Sequence, residues 1–269
     1  MNQPLFVQNL YLYPIKSLGG ISVQEAQVEE KGFKYDRRWM LVDQSGEFLT
    51  QRQHPQLALL QVALGKSELT VFSKVDPSHK ISFDLEMNSG KEMQVKVWGD
   101  AVAALQVASE VSAWFSDFLG MHVELVVMPA SSHRKMDPRY AVKKESVSFA
   151  DGMPYVIIGQ GSLDELNGRL ADPVGMDRFR PNLVFSGGEA YAEDQFKQLQ
   201  IGEVEFQVVK PCARCVMITV DQEKGTKGKE PLATLATYRS QGSKVYFGQN
   251  AVALTQGIVR VGDELIEMY

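Results

Sequence analysis

The two cysteines of this 269-residue chain are the residues best suited to chemistry, and both lie in the short segment that ends Cys212-Ala213-Arg214-Cys215. Cations close to a thiol favour the thiolate, which is the nucleophilic and metal-binding form, and both Lys210 and Arg214 are near in sequence. A thiolate is a soft ligand that suits a transition metal. Since one sulfur cannot complete a coordination shell, such a metal would have to bring other ligands, as it does within an organic cofactor.

Three other interpretations of the cysteine pair remain open from the residues alone. A structural zinc site needs a full tetrahedral ligand set, whereas a thioredoxin-like redox pair is followed by a helix. The residues after Cys215 are β-branched and predict a strand over Val216–Asp221, and the histidines provide no paired ligands. The third interpretation is two half-buried thiols without a function. The histidines are scattered singly, at His54, His79, His122 and His133.

Two polar segments in the first fifty residues could bind an anion. Lys16 and Ser17 lie in a loop bounded by proline and glycine, where backbone N–H groups, a hydroxyl and a cation suit phosphate. Arg37 and Arg38 precede an apolar strand, and because neighbouring strand positions face opposite sides, only one of them should face a given site. The alternatives are a solvated surface turn and an ion pair with the preceding aspartate.

A third polar segment precedes the predicted strand Leu183–Phe185. If it is extended, Arg180 and Asn182 share a face and could bind a polar heterocycle with an anionic tail; a solvated edge strand is the alternative. Asp151 lies in a polar loop, where a carboxylate is usually only solvated. Thr50–Gln53 either lines a site or ends a strand.

Short strands separated by glycine, serine, aspartate and proline dominate the first hundred residues and predict a barrel or a sandwich. Asp43-Gln44-Ser45-Gly46 has the turn chemistry of a hairpin. The predicted strands are Leu5–Val7, Leu10–Tyr13, Val23–Glu29, the hairpin Trp39–Thr50, Leu57–Ala63, Leu69–Phe72, Ile81–Leu85 and Met93–Trp98.

After Gly99 the pattern changes. Apolar residues from Val107 to Phe118 recur at helical spacing and Gly120 ends the helix, while residues 130–152 are predicted to be a long loop. A capping box at Ser162 predicts a second helix, and a third begins near Pro231. Further strands are predicted at Leu183–Phe185, Val204–Val209, Ala251–Leu254 and Leu265–Met268. The chain is thus expected to be mostly β with helices, divided between residues 98 and 125.

Composition limits the classes of partner. The net charge of −5 and the pI near 5.5 argue against nucleic acid as a partner, because phosphate backbones need a basic surface. No run of about 18 apolar residues predicts a membrane-spanning helix, so no membrane partner is expected. The first residues lack the features of a secretory signal. Together with the low cysteine content, this predicts a cytoplasmic location.

Five motifs occur here in the order seen in the MOSC family, named for the C-terminal domain of molybdenum cofactor sulfurase. The chain resembles its bacterial YcbX-type members and the mitochondrial amidoxime reducing component over nearly its whole length. The resemblance implies an N-terminal β-barrel-like domain over residues 1–110 and a MOSC β-barrel domain over residues 111–269. The motifs are Tyr13-Pro14-Ile15-Lys16-Ser17, Asp36-Arg37-Arg38-Trp39, Arg178-Phe179-Arg180-Pro181-Asn182, Pro211-Cys212-Ala213-Arg214-Cys215 and Phe247-Gly248-Gln249-Asn250.

The resemblance also implies a molybdenum–pterin cofactor, molybdopterin with its metal, whose metal is bound by the catalytic Cys215. Cys212 matches a position that is not a ligand. The residues implied to hold the pterin and its phosphate, or to lie near them, are Lys16, Ser17, Arg37, Asp151, Arg180, Asn182 and Arg214.

Family members reduce small N-hydroxylated compounds such as hydroxylamines, amidoximes and N-hydroxylated bases. With two cysteines the chain is expected to hold no iron–sulfur cluster, so a separate donor of the ferredoxin or flavin reductase type would supply electrons. The alternatives are a carrier of sulfur or molybdenum cofactor without its own turnover, and a binding module for another phosphorylated ligand.

Overall fold

The computed structural model describes residues 4–268 and is mostly β, with 40% of residues in strands and 16% in helices, as predicted. The strands of the first half are β1 (Leu5–Leu12), β2 (Ile21–Val23), β3 (Glu25–Glu29), β4 (Gly32–Phe33), β5 (Trp39–Val42), β6 (Leu60–Leu64), β7 (Glu68–Ser73), β8 (Lys80–Asp84), β9 (Glu92–Val97), β10 (Asp100–Gln106) and β11 (Glu124–Val127).

The second half contributes eight further strands, and residues 4–268 contain three α-helices and four 3-10 segments. The strands are β12 (Tyr155–Gly159), β13 (Leu183–Ser186), β14 (Gln198–Ile201), β15 (Val204–Arg214), β16 (Ser240–Gln241), β17 (Lys244–Ala253), β18 (Gly257–Arg260) and β19 (Glu264–Met268). The helices are α1 (Ser109–Leu119), α2 (Gln160–Asn167) and α3 (Leu232–Tyr238), and the 3-10 segments are Pro55–Leu59, Met176–Arg178, Ala192–Gln195 and Val216–Thr219.

Seven strands close into a barrel in the order β12-β13-β1-β19-β14-β15-β17, and β17 pairs with β12 to complete the ring. Closure leaves no unpaired strand edge within the ring. Alternate side chains fill the interior, among them Val7, Leu10, Tyr155 and Phe206. The first strand of the chain is therefore a member of a barrel whose six other strands all follow residue 154.

The first half of the chain otherwise forms smaller antiparallel sheets, in the orders β5-β11-β10-β9 and β6-β7-β8, while β3 pairs with β18 on one side and β4 on the other. Helix α1 covers them with Val111 and Phe115, both buried, and ends at Gly120 in the left-handed conformation (φ 65°). Glycine adopts this conformation without steric cost, which confirms the predicted helix end.

Four local predictions were wrong. Residues 57–59 belong to the 3-10 segment Pro55–Leu59, so that strand begins only at residue 60. The hairpin turn at residues 43–46 forms, but its second arm makes only a bridge between Val42 and Phe48. Strand β10, rich in alanine, was missed. Ser162 lies inside α2, which begins at Gln160, and its hydroxyl donates to Glu193 rather than capping the helix.

The cysteine segment also differs from its prediction. Strand β15 continues through it to Arg214, and the residues after Cys215 form the 3-10 segment Val216–Thr219, so the predicted strand there is wrong. A short 3-10 turn rich in β-branched apolar residues looks like a strand in sequence, because a short apolar run has no periodicity that separates the two.

Residues 128–154 contain no named helix or strand, which confirms the predicted long loop. The buried Arg134 holds its last part in place: its guanidinium donates to the carbonyls of Ser148 and Asp151 at 3.1 and 3.2 Å, and to the Asp100 carboxylate at 2.8 Å. Asp151 is thus presented by a loop that a buried cation fixes. Among residues 4–268 no helix has the length and apolarity to span a membrane.

Candidate functional site

A cleft of 840 Å³ is lined by residues from both halves of the chain. Eight of its lining residues are lysine or arginine, whereas Asp151 is its one carboxylate. The chain as a whole carries a net charge of −5, so the cleft is a positively charged region of a negatively charged protein. Since low-dielectric walls concentrate such a field, the cleft favours an anionic ligand.

Both cysteines line this cleft, and the Cys215 side chain is exposed to it. The Cys215 Sγ accepts a hydrogen bond from Arg52 Nε at 3.3 Å. Residues three apart in a regular strand point to opposite faces. Here the register between β15 and β17 shifts between Pro211 and Ala213, and the chain turns after Arg214, so both thiols reach the cleft.

The conformation and packing of β17 explain why the Phe247–Asn250 motif has a glycine, Gly248. Its φ is +75°, and a Cβ there would lie 2.6 Å from Ile158 Cγ1 on β12. The two strands therefore approach closely behind the cysteine segment. On the cleft side, Arg214 Nε donates to the neighbouring Phe247 carbonyl at 2.8 Å, which fixes this guanidinium to the barrel.

Asp151 is the centre of a charged cluster in the cleft. It accepts from Lys16 Nζ at 2.6 Å, from Arg52 Nη2 at 2.9 Å and from Trp98 Nε1 at 3.3 Å. Burial alone would raise the pKa of Asp151, but the charges of Lys16 and Arg52 outweigh burial and hold its pKa below the usual value. Burial lowers the pKa of Lys16 to about 8, although Asp151 opposes this shift.

Two guanidinium groups in the cleft have unused donors. Arg180 Nη1 donates to the Leu18 carbonyl and Arg214 Nη1 to the Phe179 carbonyl, each at 2.8 Å, but the buried Nη2 atoms of both arginines have no partner among the described residues. Burial lowers the pKa of Arg180 to about 10, so it stays charged at neutral pH. Buried charged donors without partners are costly, and an anion in the cleft would satisfy them.

Backbone strain concentrates around the cleft. Four lining residues other than glycine adopt positive φ: Ser17 (71°), Arg37 (51°), Trp98 (57°) and Arg180 (52°). Each such conformation costs about 1–3 kcal/mol, and such residues tend to cluster at functional sites.

The structure brings seven of the eight predicted site residues together around the cleft. Only one of the two neighbouring arginines faces the cleft, as predicted: Arg37 lines it, whereas Arg38 pairs with Glu29 at 2.7 Å. The reason is a turn and not strand alternation, because β5 begins only at Trp39 and Arg37 adopts a positive φ. The Ser17 hydroxyl lies at the cleft, but it donates a hydrogen bond to the Leu49 carbonyl at 3.2 Å. The seven residues are Lys16, Ser17, Arg37, Asp151, Arg180, Arg214 and Cys215.

Asn182 is the exception: it is fully buried and does not line the cleft. The expectation that it shares an extended face with Arg180 is wrong, because Arg180 adopts a positive φ. The Asn182 amide oxygen instead accepts from Val156 N at 3.3 Å and from Arg37 Nη1 at 3.4 Å. Its part in holding a cofactor stays a prediction and would act through Arg37.

Arg52 and Trp98 line the cleft but lie outside the sequence motifs. Arg52 is part of the polar run Thr50–Gln53, and the sequence predicts Trp98 only as the end of a strand. Arg52 contacts both Asp151 and Cys215, and its guanidinium lies 4.7 Å from the centre of the Trp98 ring. A polar run after an apolar strand and a tryptophan before Gly99 were the available signals. Neither indicates a site until the fold brings the segments together.

The donor set fits a metal that arrives within an anionic organic cofactor. Within residues 4–268 no group of three or more His, Cys, Asp or Glu side chains is placed to hold a metal ion alone. The cleft offers one exposed thiol, unused guanidinium donors and an excess of positive charge. A barrel with a thiol in a cation-lined cleft is a site suited to an anionic group beside a sulfur atom.

Comparison with known proteins shows which family this chain belongs to. Residues 5–122 match the MOSC N-terminal beta barrel domain and residues 144–266 match the MOSC domain. The chain is 33% identical to mitochondrial amidoxime-reducing component 1 of Mus musculus, over 96% of this chain and 80% of that protein. It is 33% identical to mitochondrial amidoxime reducing component 2 of Rattus norvegicus, over 97% and 83%.

A molybdenum cofactor sulfurase of Oryza sativa subsp. japonica is 34% identical over 91% of this chain, which spans 32% of that longer protein. The chain therefore belongs to the MOSC family, as its motifs predict.

Proposed function

We propose that this chain holds a molybdenum–pterin cofactor through Cys215 and reduces N-hydroxylated compounds with electrons from a separate donor. The observation that carries the proposal is the exposed Cys215 thiol, which opens into a cleft with eight cationic side chains. The names of the amidoxime-reducing relatives support the substrate class.

Five residues of the cleft are proposed to hold the cofactor. Cys215 Sγ would bind the metal, while the unpartnered Nη2 atoms of Arg180 and Arg214 would donate to anionic oxygens of the cofactor. Arg37 and Lys16 add positive charge on the wall formed by the first half of the chain. When bound, such a cofactor supplies the two-electron chemistry that removes oxygen from nitrogen.

The reaction consumes two electrons and two protons: a hydroxylamine R–NH–OH becomes an amine R–NH2 and water. Lys16 Nζ, whose pKa is about 8, holds a proton at neutral pH and is hydrogen-bonded to Asp151. This pair can supply a proton inside the cleft. The electrons come from a separate protein of the ferredoxin or flavin reductase type.

The test is to produce the protein in a host that makes the cofactor, and to measure molybdenum, pterin and amidoxime reduction with an artificial electron donor. Cys215→Ala should lose the metal and the turnover, because it removes the only protein ligand. The matched control is Cys212→Ala, a second thiol in the same cleft, which should keep both. Full activity of Cys215→Ala would overturn the assignment.

The similarity to molybdenum cofactor sulfurase favours a second candidate, a carrier of sulfur or cofactor without its own turnover. In that case Cys215 would carry a persulfide, detectable by mass spectrometry, and the loaded protein would not reduce any N-hydroxylated compound.

A further inference from the structure

A second pocket of 550 Å³ adjoins the cation-lined cleft. The two share Thr50, Arg52 and Trp98 as lining residues, so these side chains form a common wall. The shared Arg52 donates to Cys215 Sγ at 3.3 Å. The common wall therefore lies directly beside the sulfur atom.

This second pocket, called the side pocket from here on, differs from the cleft in its charge. Arg52 is its one lysine or arginine, and Asp43 and Glu47 bring two carboxylates. Phe48, Leu49 and Met121 add apolar surface. An anionic cofactor is repelled from such a pocket and attracted to the cleft, whereas a neutral or cationic organic group is accepted.

Trp98 gives this wall a flat surface. It is 51% exposed although it is large and apolar, and its φ of 57° is a strained conformation for a tryptophan. Its ring lies 5.3 Å from that of Phe48, and its indole N–H donates to Asp151 at 3.3 Å. Arg52 covers part of the ring, 4.7 Å from its centre, and these contacts hold the ring in place. The rest of the exposed residue stays open for contact, which is the arrangement of a stacking surface.

We propose that Trp98 and the side pocket hold the planar aromatic body of an N-hydroxylated substrate, with its N–O group directed past Arg52 toward Cys215. Trp98 is thus a specificity-determining residue that selects planar aromatic compounds over small aliphatic ones. The proposal rests on the function proposed above for the choice of substrate, but the pocket and its preference for aromatic cations can be tested without turnover.

The binding test uses benzamidine, a planar aromatic cation, titrated into the full chain and followed by calorimetry and tryptophan fluorescence. Benzamidine should quench the wild-type fluorescence, and Trp98→Ala should weaken binding by about tenfold, since stacking and apolar contact are lost. Trp98→Phe should retain most of the affinity. Trp114→Phe is the control, because Trp114 packs against Phe115 and Phe118 of α1 and lines neither pocket.

Turnover by the loaded enzyme gives the second readout. Because Trp98 also donates to Asp151, the reference is Trp98→Phe, which loses the same hydrogen bond but keeps an aromatic ring. Relative to Trp98→Phe, Trp98→Ala should raise KM for an aromatic amidoxime about tenfold more than it raises KM for methylhydroxylamine. A general structural defect would instead raise both KM values alike and lower the metal content.

Three results would overturn the proposal: no benzamidine binding to the wild type at millimolar concentration, equal affinity of Trp98→Ala, or displacement of benzamidine by sulfate, which would place it in the cationic cleft. If benzamidine binds as expected but no N-hydroxylated compound is reduced, the pocket stands and the proposed reaction fails.

Discussion

At the scale of single residues, four of the eight cations of the cleft form two contrasting pairs. Lys16 and Arg52 already have a carboxylate partner in Asp151, whereas Arg180 and Arg214 each keep a buried donor without a partner. A buried unsatisfied charged donor costs about 1–3 kcal/mol or more. An anion that satisfies the two arginines recovers this free energy, so they contribute more to affinity than the paired cations.

Lys16 makes anion binding depend on pH. Its pKa of about 8 means that the side chain is cationic below pH 8 and loses its charge as the pH rises through that value. Sulfate keeps its charge over this range, so its affinity for the cofactor-free protein should fall by about fivefold between pH 7 and pH 9, most of the loss of one charged hydrogen bond. The range ends at pH 9 because the pKa of Arg180 is about 10. Bound sulfate favours the protonated lysine, so the fall is centred slightly above pH 8. Isothermal titration calorimetry measures it.

Lys16→Arg is the matched control, because its guanidinium keeps its charge through the same range. The variant should bind sulfate with nearly constant affinity from pH 7 to pH 9, below the pKa of Arg180. An unchanged pH profile in this variant would show that another group controls the dependence.

At the scale of elements, the position of Cys215 depends on how closely β17 packs against β12. Gly248→Ala would place a Cβ 2.6 Å from Ile158 Cγ1 and 2.9 Å from the Ile157 carbonyl oxygen, at a φ of +75°. A left-handed alanine costs about 1–2 kcal/mol and overpacking about 1–3 kcal/mol more. Urea unfolding should therefore show a loss of about 2–5 kcal/mol in the free energy of unfolding.

Gly242→Ala separates the two causes. Gly242 also has a positive φ (58°), but nothing lies within 4 Å of its Cβ position, so only the conformational cost of about 1–2 kcal/mol applies. Equal destabilisation by the two substitutions would show that the contact with Ile158 is relieved by a small movement of the strands.

The same elements show what the sequence can and cannot predict. Helix α1 was predictable because apolar periodicity and Gly120 agree, whereas the alanines of β10 carry almost no pattern. Strand β15 was cut short since Pro211 and the polar residues around it mask a bulged strand.

For the site, the motifs identified the cations but not their arrangement. Asp151 meets Lys16 across 135 positions of the chain, and Arg52 meets Cys215 across 163. Such contacts follow from the closure of the barrel and the packing of the sheets, which no local pattern encodes. The place of Trp98 at the site could not be predicted for the same reason, because its exposure and its strained backbone are properties of the folded chain.

At the scale of the whole molecule, the two sequence regions are interlocked. Strand β1 pairs with β13 on one side and with β19 on the other, although both partners come from the far end of the chain. Its Val7 and Leu10 are almost completely buried in the barrel core. A division of the chain near residue 110 therefore separates the barrel from one of its own strands.

This interlocking predicts that a fragment of residues 111–269 does not fold alone. Without β1 the barrel opens between β13 and β19, two strand edges lose their partners, and the contacts of Val7 and Leu10, worth about 2 kcal/mol each, are lost. Circular dichroism and the dispersion of NMR chemical shifts should show a disordered or aggregated fragment. Co-expression with residues 1–110 should restore a soluble folded complex, because the missing strand is then supplied. A spectrum with well-dispersed chemical shifts from the fragment alone would contradict the prediction and show that the second region folds independently of β1.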